Sequence, residues 1–291
     1  MPAEIRPRRS MLYMPGSNAR ALEKAHGLAA DALIFDLEDA VAPDAKAEAR
    51  ATIAAAVKRG YGLRELLLRV NGLDTAWGHD DLVAAAKMDI HAVLIPKVES
   101  IETIQRTAAV LAESGAPDSL AVWCMMETPL GILRAEAIAT AHPRVAGFVM
   151  GTNDLVNDLH ARHTRDRIPI LTGLALCLLA ARAHGLSVID GVHRDLDDLD
   201  GFAFACRQGL ELGFDGKSLI HPKTIAAANA IFSPDPEELE TARRTIAGFA
   251  AAEAEGKAVA VVDGKLVEAL HVANARRLVA LADRIAAMQA G

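Results

Sequence analysis

The feature that most narrows the fold is an alternation: short, near-continuous apolar runs separated by longer Ala-rich stretches of helical periodicity. Runs of strand length occur at 11–14, 33–37, 66–70, 92–95, 121–126, 147–150 and 187–189, with a weaker one at 213–215. Amphipathic stretches such as 19–30, 46–59, 101–114 and 170–184 lie between them. Strands that are apolar throughout belong in a sheet covered on both faces, and strands joined through helices run parallel. Eight such units at spacings of roughly 25 to 35 residues predict an α/β chain forming a closed (β/α)8 TIM barrel rather than an open doubly wound sheet. No GxGxxG or GxxxxGK(S/T) loop follows any of the runs, which weighs against a dinucleotide or P-loop fold.

The alternation stops at Phe232, so residues 1–232 are expected to form the barrel and 233–291 a C-terminal appendage. Ser233-Pro234-Asp235-Pro236 carries helix-start chemistry, and that helix should run toward Gly256. Runs at 258–262 and 265–267 flank Asp263-Gly264, a tight hairpin turn, before a last helix from about Glu268 to Met288. This helix–hairpin–helix is too small for a robust core of its own and is expected to pack on the barrel or on a neighbouring subunit.

Composition removes several classes of function. A 52% hydrophobic share supports a real core and excludes a disordered chain. A net charge of −7 with 4% aromatic residues offers neither a basic footprint nor stacking platforms, so nucleic acid and anionic membranes are not expected partners. No apolar run reaches the ~18 residues of a spanning helix. After Arg6, Arg8 and Arg9, Pro15-Gly16 ends the apolar stretch too early for a signal peptide. Cys124, Cys177 and Cys206 are widely spaced, lack a CxxC pair and read as buried free thiols. A cytoplasmic protein is the expectation.

In a barrel, chemistry sits where strands end, so the polar residues there are the candidates. They are Asp36, Glu38 and Asp39, Arg69 and Asn71, Lys97, Glu127, Asn153 and Asp154, Asp190, and Lys217. Charged groups are rarely buried unless paired or metal-bound, so such a ring fits an anion-binding metal site. Glu127 and Asp154, on adjacent strands, are either Mg2+ ligands or strand-end caps and ion-pair partners. Arg69 is either a bidentate clamp for a substrate carboxylate or a charge partner for Asp36 or Glu38. Asp39 is read as a helix cap. His160 and His163, in a loop with Arg162, Arg165 and Arg167, read as a solvated surface. The acidic stretch 195–201 has Cys206 where a calcium loop needs its final Glu, so it reads as helix capping.

Several motifs then follow one another in order: residues 9–16 (RSMLYMPG), Asp36-Leu37-Glu38-Asp39-Ala40-Val41, Lys46 with Arg50, and Arg69-Val70-Asn71. Pro96-Lys97-Val98-Glu99, Glu127-Thr128-Pro129-Leu130-Gly131, Asp154-Leu155, Asp190-Gly191-Val192, residues 213–217 (GFDGK) and Ile220-His221-Pro222 complete the set. In combination they resemble the citrate lyase beta-subunit-like family of CoA-ester lyases, across nearly the whole chain. The resemblance implies a TIM barrel with Mg2+ (or Mn2+) held by Glu127 and Asp154. It also implies reversible cleavage of a short 3-hydroxyacyl-CoA (malyl-, β-methylmalyl- or citramalyl-CoA) into an acyl-CoA and a 2-oxo acid.

By the same resemblance, Arg69 contacts the oxo acid or nascent enolate, with Glu38 a carboxylate beside it. Tyr13, Lys24, Ile220 and His221 line the substrate or CoA site; Lys24, Lys46 and Arg50 are either phosphate contacts of CoA or surface charges. The C-terminal segment implies a lid that closes over a neighbouring subunit of a homotrimer or hexamer and supplies an acid, usually Asp. Residues 263–268 (DGKLVE) put Glu268 at that position, one methylene longer. That change makes an (S)-malyl-CoA thioesterase the leading alternative to the lyase, ahead of a CoA-independent class II aldolase.

Overall fold

The computed structural model describes residues 5–290 and divides into two compact units, which are taken separately. The larger spans Arg8–Phe232; the smaller comprises residues 233–290 together with residues 5–7.

The larger unit is a closed barrel of eight parallel strands in sequence order. It begins β1 (Ser10–Pro15), α1 (Ala19–Lys24), β2 (Ala32–Asp36), α2 (Lys46–Val57), β3 (Glu65–Arg69), α3 (Gly78–Ala85), β4 (Ala92–Ile95) and α4 (Ile101–Glu113). It continues through β5 (Ala121–Met126), α5 (Pro129–Leu133), α6 (Ala135–Ala139), β6 (Val145–Met150), α7 (Thr152–Asp158) and α8 (Ile168–Ala183). β7 (Ser187–Asp190), α9 (Leu199–Leu212), β8 (Gly216–Leu219) and α10 (Ile225–Phe232) complete it.

Side chains alternate along each strand between the barrel interior and the helix layer. Met11, Ile34, Leu67, Leu94, Trp123, Met125, Val149 and Ile189 fill the interior. Their neighbours Leu12, Leu33, Phe35, Leu68, Val93, Cys124, Phe148 and Val188 pack outward in the core shared with the helices. Trp123 occupies the central layer because β6 supplies Gly147 opposite it; a Cβ there would lie 2.7 Å from the indole ring. Below, the Arg8 guanidinium lies over that indole and is ion-paired to Glu65, closing the end of the barrel remote from the strand C-termini.

The eighth strand differs from the expectation of 213–215. Gly213 instead ends α9 in the left-handed conformation (φ 105°), and β8 starts at Gly216. Lys217 therefore lies inside a strand rather than in the loop after it, where a polar sequence hid a fully buried segment. All three cysteines are buried free thiols, and burial pushes Cys177 up to about 12 and Cys206 up to about 11.

The smaller unit contains α11 (Pro236–Ala254), an antiparallel pair β9 (Ala260–Val262) and β10 (Lys265–Val267), and α12 (Ala269–Ala290). Asp235 caps α11 by accepting the Glu237 and Glu238 N–H groups. Asp263 and Gly264 both adopt positive φ (50° and 74°), the requirement of a two-residue hairpin turn. Ala260, Val267 and Val272, backed by Ile246 and Phe249, form its core. Among the described residues, no helix is long and apolar enough to cross a membrane.

Candidate active site

Extending the interior rows by one step past the packed layers brings the charged residues together. Met11 leads to Tyr13, Ile34 to Asp36, Leu67 to Arg69 and Met125 to Glu127, all at the C-terminal ends of their strands. Parallel pairing sets Asp36 directly beside Arg69. The Arg69 Nε and Nη2 donate to the two Asp36 oxygens at 2.8 and 2.6 Å. Its Nη1 lies 2.7 Å from Glu38 Oε2 and 3.4 Å from Asp39 Oδ2, and its guanidinium stacks over Tyr13, 4.9 Å from the ring centre. Arg69 is thus a charge partner for both Asp36 and Glu38. The capping expected of Asp39 falls to Asp36, which accepts the Glu38 and Ala40 N–H groups. Asp39 is exposed.

Glu127 follows β5 and is 4% exposed. Its Oε1 accepts the Lys97 N–H at 2.8 Å, which Lys97 presents from a left-handed conformation (φ 47°) at the end of β4. Its Oε2 lies against Gly151, where a Cβ would collide with the carboxylate. The glycine after β6 is what lets Glu127 stand at the mouth. Asp154, in the first turn of α7, is partly exposed and 3.6 Å from Lys97 Nζ. Burial pushes the Glu127 carboxyl up to about 7, against the Lys97 N–H, with Glu38 and Asp154 adding repulsion. Burial likewise pushes Glu38 up to about 7, against Arg69, with Asp39 and Asp36 adding to the shift.

Five carboxylates (Asp36, Glu38, Asp39, Glu127, Asp154) therefore share this mouth, and among the described residues their ion pairs are with Arg69 and Lys97. Among the described residues, no group of three or more His, Cys, Asp or Glu forms a metal cage. A hard divalent cation needs less, since Mg2+ takes one or two carboxylates and keeps water or substrate oxygens elsewhere. The raised Glu127 and the surplus of negative charge fit such an ion.

Tyr13 sits beside Arg69, its hydroxyl 3.2 Å from the Met125 sulfur and its ionisation pushed up by burial. Ile220 and His221 follow β8 and are exposed, and Lys24 is exposed at the end of α1. Lys46 and Arg50 are not free for phosphate. The Lys46 ammonium is buried and donates to the Leu37 and Glu38 carbonyls at 2.8 and 3.0 Å. Arg50 pairs with the fully buried Asp81 at 2.8 Å, and Asp81 in turn accepts both nitrogens of Asn71. Both cations brace the loops after β2 and β3. Glu268 lies in the smaller unit between β10 and α12, exposed, with its N–H bonded to His271 Nδ1. Sequence reasoning missed the roles of Lys97 and Gly151: a left-handed lysine carries no sequence signal, although a glycine at a strand end facing a carboxylate does carry one.

The sequence profile of the HpcH/HpaI aldolase/citrate lyase family matches residues 9–222, from the start of the barrel to the loop after β8. The chain belongs to this family. It is 53% identical to a (3S)-malyl-CoA thioesterase of Cereibacter sphaeroides (strain ATCC 17029 / ATH 2.4.9) over the full length of both chains. It is 34% identical to citrate lyase subunit beta of Escherichia coli (strain K12), over 96% of this chain and 95% of that one. Among solved structures, CitE from Mycobacterium tuberculosis in complex with magnesium, acetoacetate and coenzyme A superposes with a TM-score of 0.74 at 27% identity. That likeness covers 97% of this chain and all of that one.

Proposed function

We propose that this family member is a Mg2+-dependent thioesterase acting on (3S)-malyl-CoA, with Glu127 and Asp154 as the metal ligands. The observation that carries the reading is the 53% identity to a (3S)-malyl-CoA thioesterase along the full length of both chains. The crowded carboxylates at the mouth and the complex of the similar CitE with magnesium and coenzyme A support the cofactor and the substrate class. When bound, Mg2+ supplies Lewis acidity and a template for substrate oxygens.

The chain's own residues do the rest. Arg69, locked on Asp36 and backed by the Tyr13 ring, presents a fixed positive charge where negative charge develops on the thioester oxygen. Tyr13, Ile220 and His221 line the acyl-CoA path, and Lys24 offers a cation to its phosphates. Glu38, its carboxyl pushed up to about 7 by burial, ion-pairs with Arg69 Nη1 and helps hold that charge in place. Glu268 is assigned as the base that takes a proton from the attacking water. It arrives on the small unit of a neighbouring copy in a trimer or hexamer, and that unit acts as the lid excluding bulk solvent. The C–S bond breaks, the proton passes to the CoA thiolate, and malate is released.

The lyase reading uses the same residues but breaks a carbon–carbon bond. Incubating the protein with (3S)-malyl-CoA and Mg2+ separates them by product. Malate with a free thiol is expected; glyoxylate with acetyl-CoA would replace this reading with the lyase, and neither product would overturn both.

A pH dependence follows from the two raised carboxyls. From about pH 4.5 to about 7, folded Glu38 and Glu127 bind more protons than they do unfolded, so metal-free stability falls as pH rises through that window. A cation binds only the ionised forms, so its stabilisation grows with pH. The Mg2+-induced rise in thermal midpoint should therefore be larger at pH 8 than at pH 5.5. An equal rise at both would remove Glu127 from the metal site.

A further inference from the structure

We propose that the barrel carries a second anion site, distinct from the Glu127–Asp154 mouth, that takes the phosphate groups of a phosphorylated small molecule through Arg162, Arg165 and Arg194.

A cavity of about 470 Å3 opens between the loop from α7 to α8, the loop after β7 and the first turns of α9. Part of its wall is the loop of His163, Arg162, Arg165 and Arg167, which reads in the sequence as a solvated surface. Arg162, Arg165 and Arg194 line it and are exposed. Among the described residues none of the three has a carboxylate partner, and Arg165 is only steadied over the Phe204 ring at 5.2 Å.

The two acids on the same lining do not offset them fully. Asp195 is turned to the Asp197 and Asp198 N–H groups, and Asp198 caps α9 through the Gly201 N–H. Deeper in, Arg167 and Lys217 share the single carboxylate of Asp190, which leaves one further positive charge facing the cavity. His193 adds a buried Nε2 that has no hydrogen-bond partner among the described residues and lies 3.8 Å from Asp198. The lining thus has three uncommitted guanidiniums, an orphan imidazole nitrogen and a surplus of positive charge.

The chemistry selects phosphate. Guanidinium forks pair two N–H groups with two oxygens of a phosphate, and three of them around one concavity suit adjacent phosphoryl groups better than a lone carboxylate. The volume exceeds what one inorganic phosphate needs and falls in the range of small-molecule sites, while Ile170 and Val192 give it an apolar wall. Two sources share this chemistry: the phosphorylated nucleotide end of a CoA thioester, which rests on the function proposed above, and a free nucleotide, which does not.

The test uses the full chain and the triple variant Arg162→Ala, Arg165→Ala, Arg194→Ala, whose exposed positions leave the thermal midpoint unchanged. Inorganic pyrophosphate and ADP are titrated calorimetrically into both, and KM and kcat for (3S)-malyl-CoA are measured separately. The parent should bind pyrophosphate, and the variant should bind it at least ~10-fold more weakly, the scale of losing paired charge-assisted bonds. A KM raised by a similar factor at constant kcat identifies the CoA ester as the occupant. An unchanged KM with lost ADP binding identifies a free nucleotide. No pyrophosphate binding by the parent, or equal binding by both proteins, overturns the site, and because the titration needs no turnover it does so whether or not the thioesterase reading holds.

Discussion

Replacing Glu127 by Gln is expected to lower turnover of the CoA ester by at least ~10³-fold, the scale of removing a principal electrostatic element of an active site. The fold should not suffer. A glutamine keeps an oxygen for the Lys97 N–H, which now reaches Glu127 Oε1 at 2.8 Å, and still fits against Gly151. It also removes a charge that burial, Glu38 and Asp154 all disfavour. The metal-free thermal midpoint should therefore stay level or rise, while the increase produced by Mg2+ disappears. Retention of more than about a tenth of the activity would exclude Glu127 as a metal ligand, since losing one of two carboxylates leaves a hard cation too weakly held. Asp154→Asn should act in the same direction on metal binding.

The largest effect on stability is expected from Asp190→Asn, a loss of about 3–5 kcal/mol, as when one partner of a buried ion pair is removed. Asp190 is fully buried at the end of β7, and Lys217, 1% exposed, donates to its Oδ2 at 2.7 Å. Arg167 Nη1 donates to both oxygens at 2.7 and 2.8 Å, from a left-handed backbone position (φ 58°). Burial alone would push the Asp190 carboxyl up, but Lys217 and Arg167 outweigh it and hold it below the ordinary range. An amide in its place strands two cations, one of them inside a strand that closes the barrel. Urea denaturation measures the loss. A change below about 1 kcal/mol would mean that water reaches Lys217, which its burial contradicts.

Why some of this was legible and some was not comes down to periodicity against register. Seven of the strands announce themselves by apolar runs, because a parallel sheet buried on both faces tolerates nothing else. The eighth does not, since Gly216-Lys217-Ser218-Leu219 is buried through its partners rather than through its own apolarity. The ring of candidate charges was visible as a list of strand ends. Its internal pairing was not: Lys46 and Arg50 look like surface cations and are braces, and Asp36 rather than Asp39 holds the turn after β2.

The kind of sheet, the number of its strands and the end of the barrel at which polar groups gather can all be read along the chain, because they depend on local alternation. Which charges meet depends on how the strands lie side by side. Lateral pairing puts Asp36 beside Arg69 and Asp190 beside Lys217, and the left-handed turn at Lys97 aims its N–H at Glu127. These are contacts between residues some 27 to 33 positions apart. They follow from the stagger of neighbouring strands, which side-chain type along one strand does not encode.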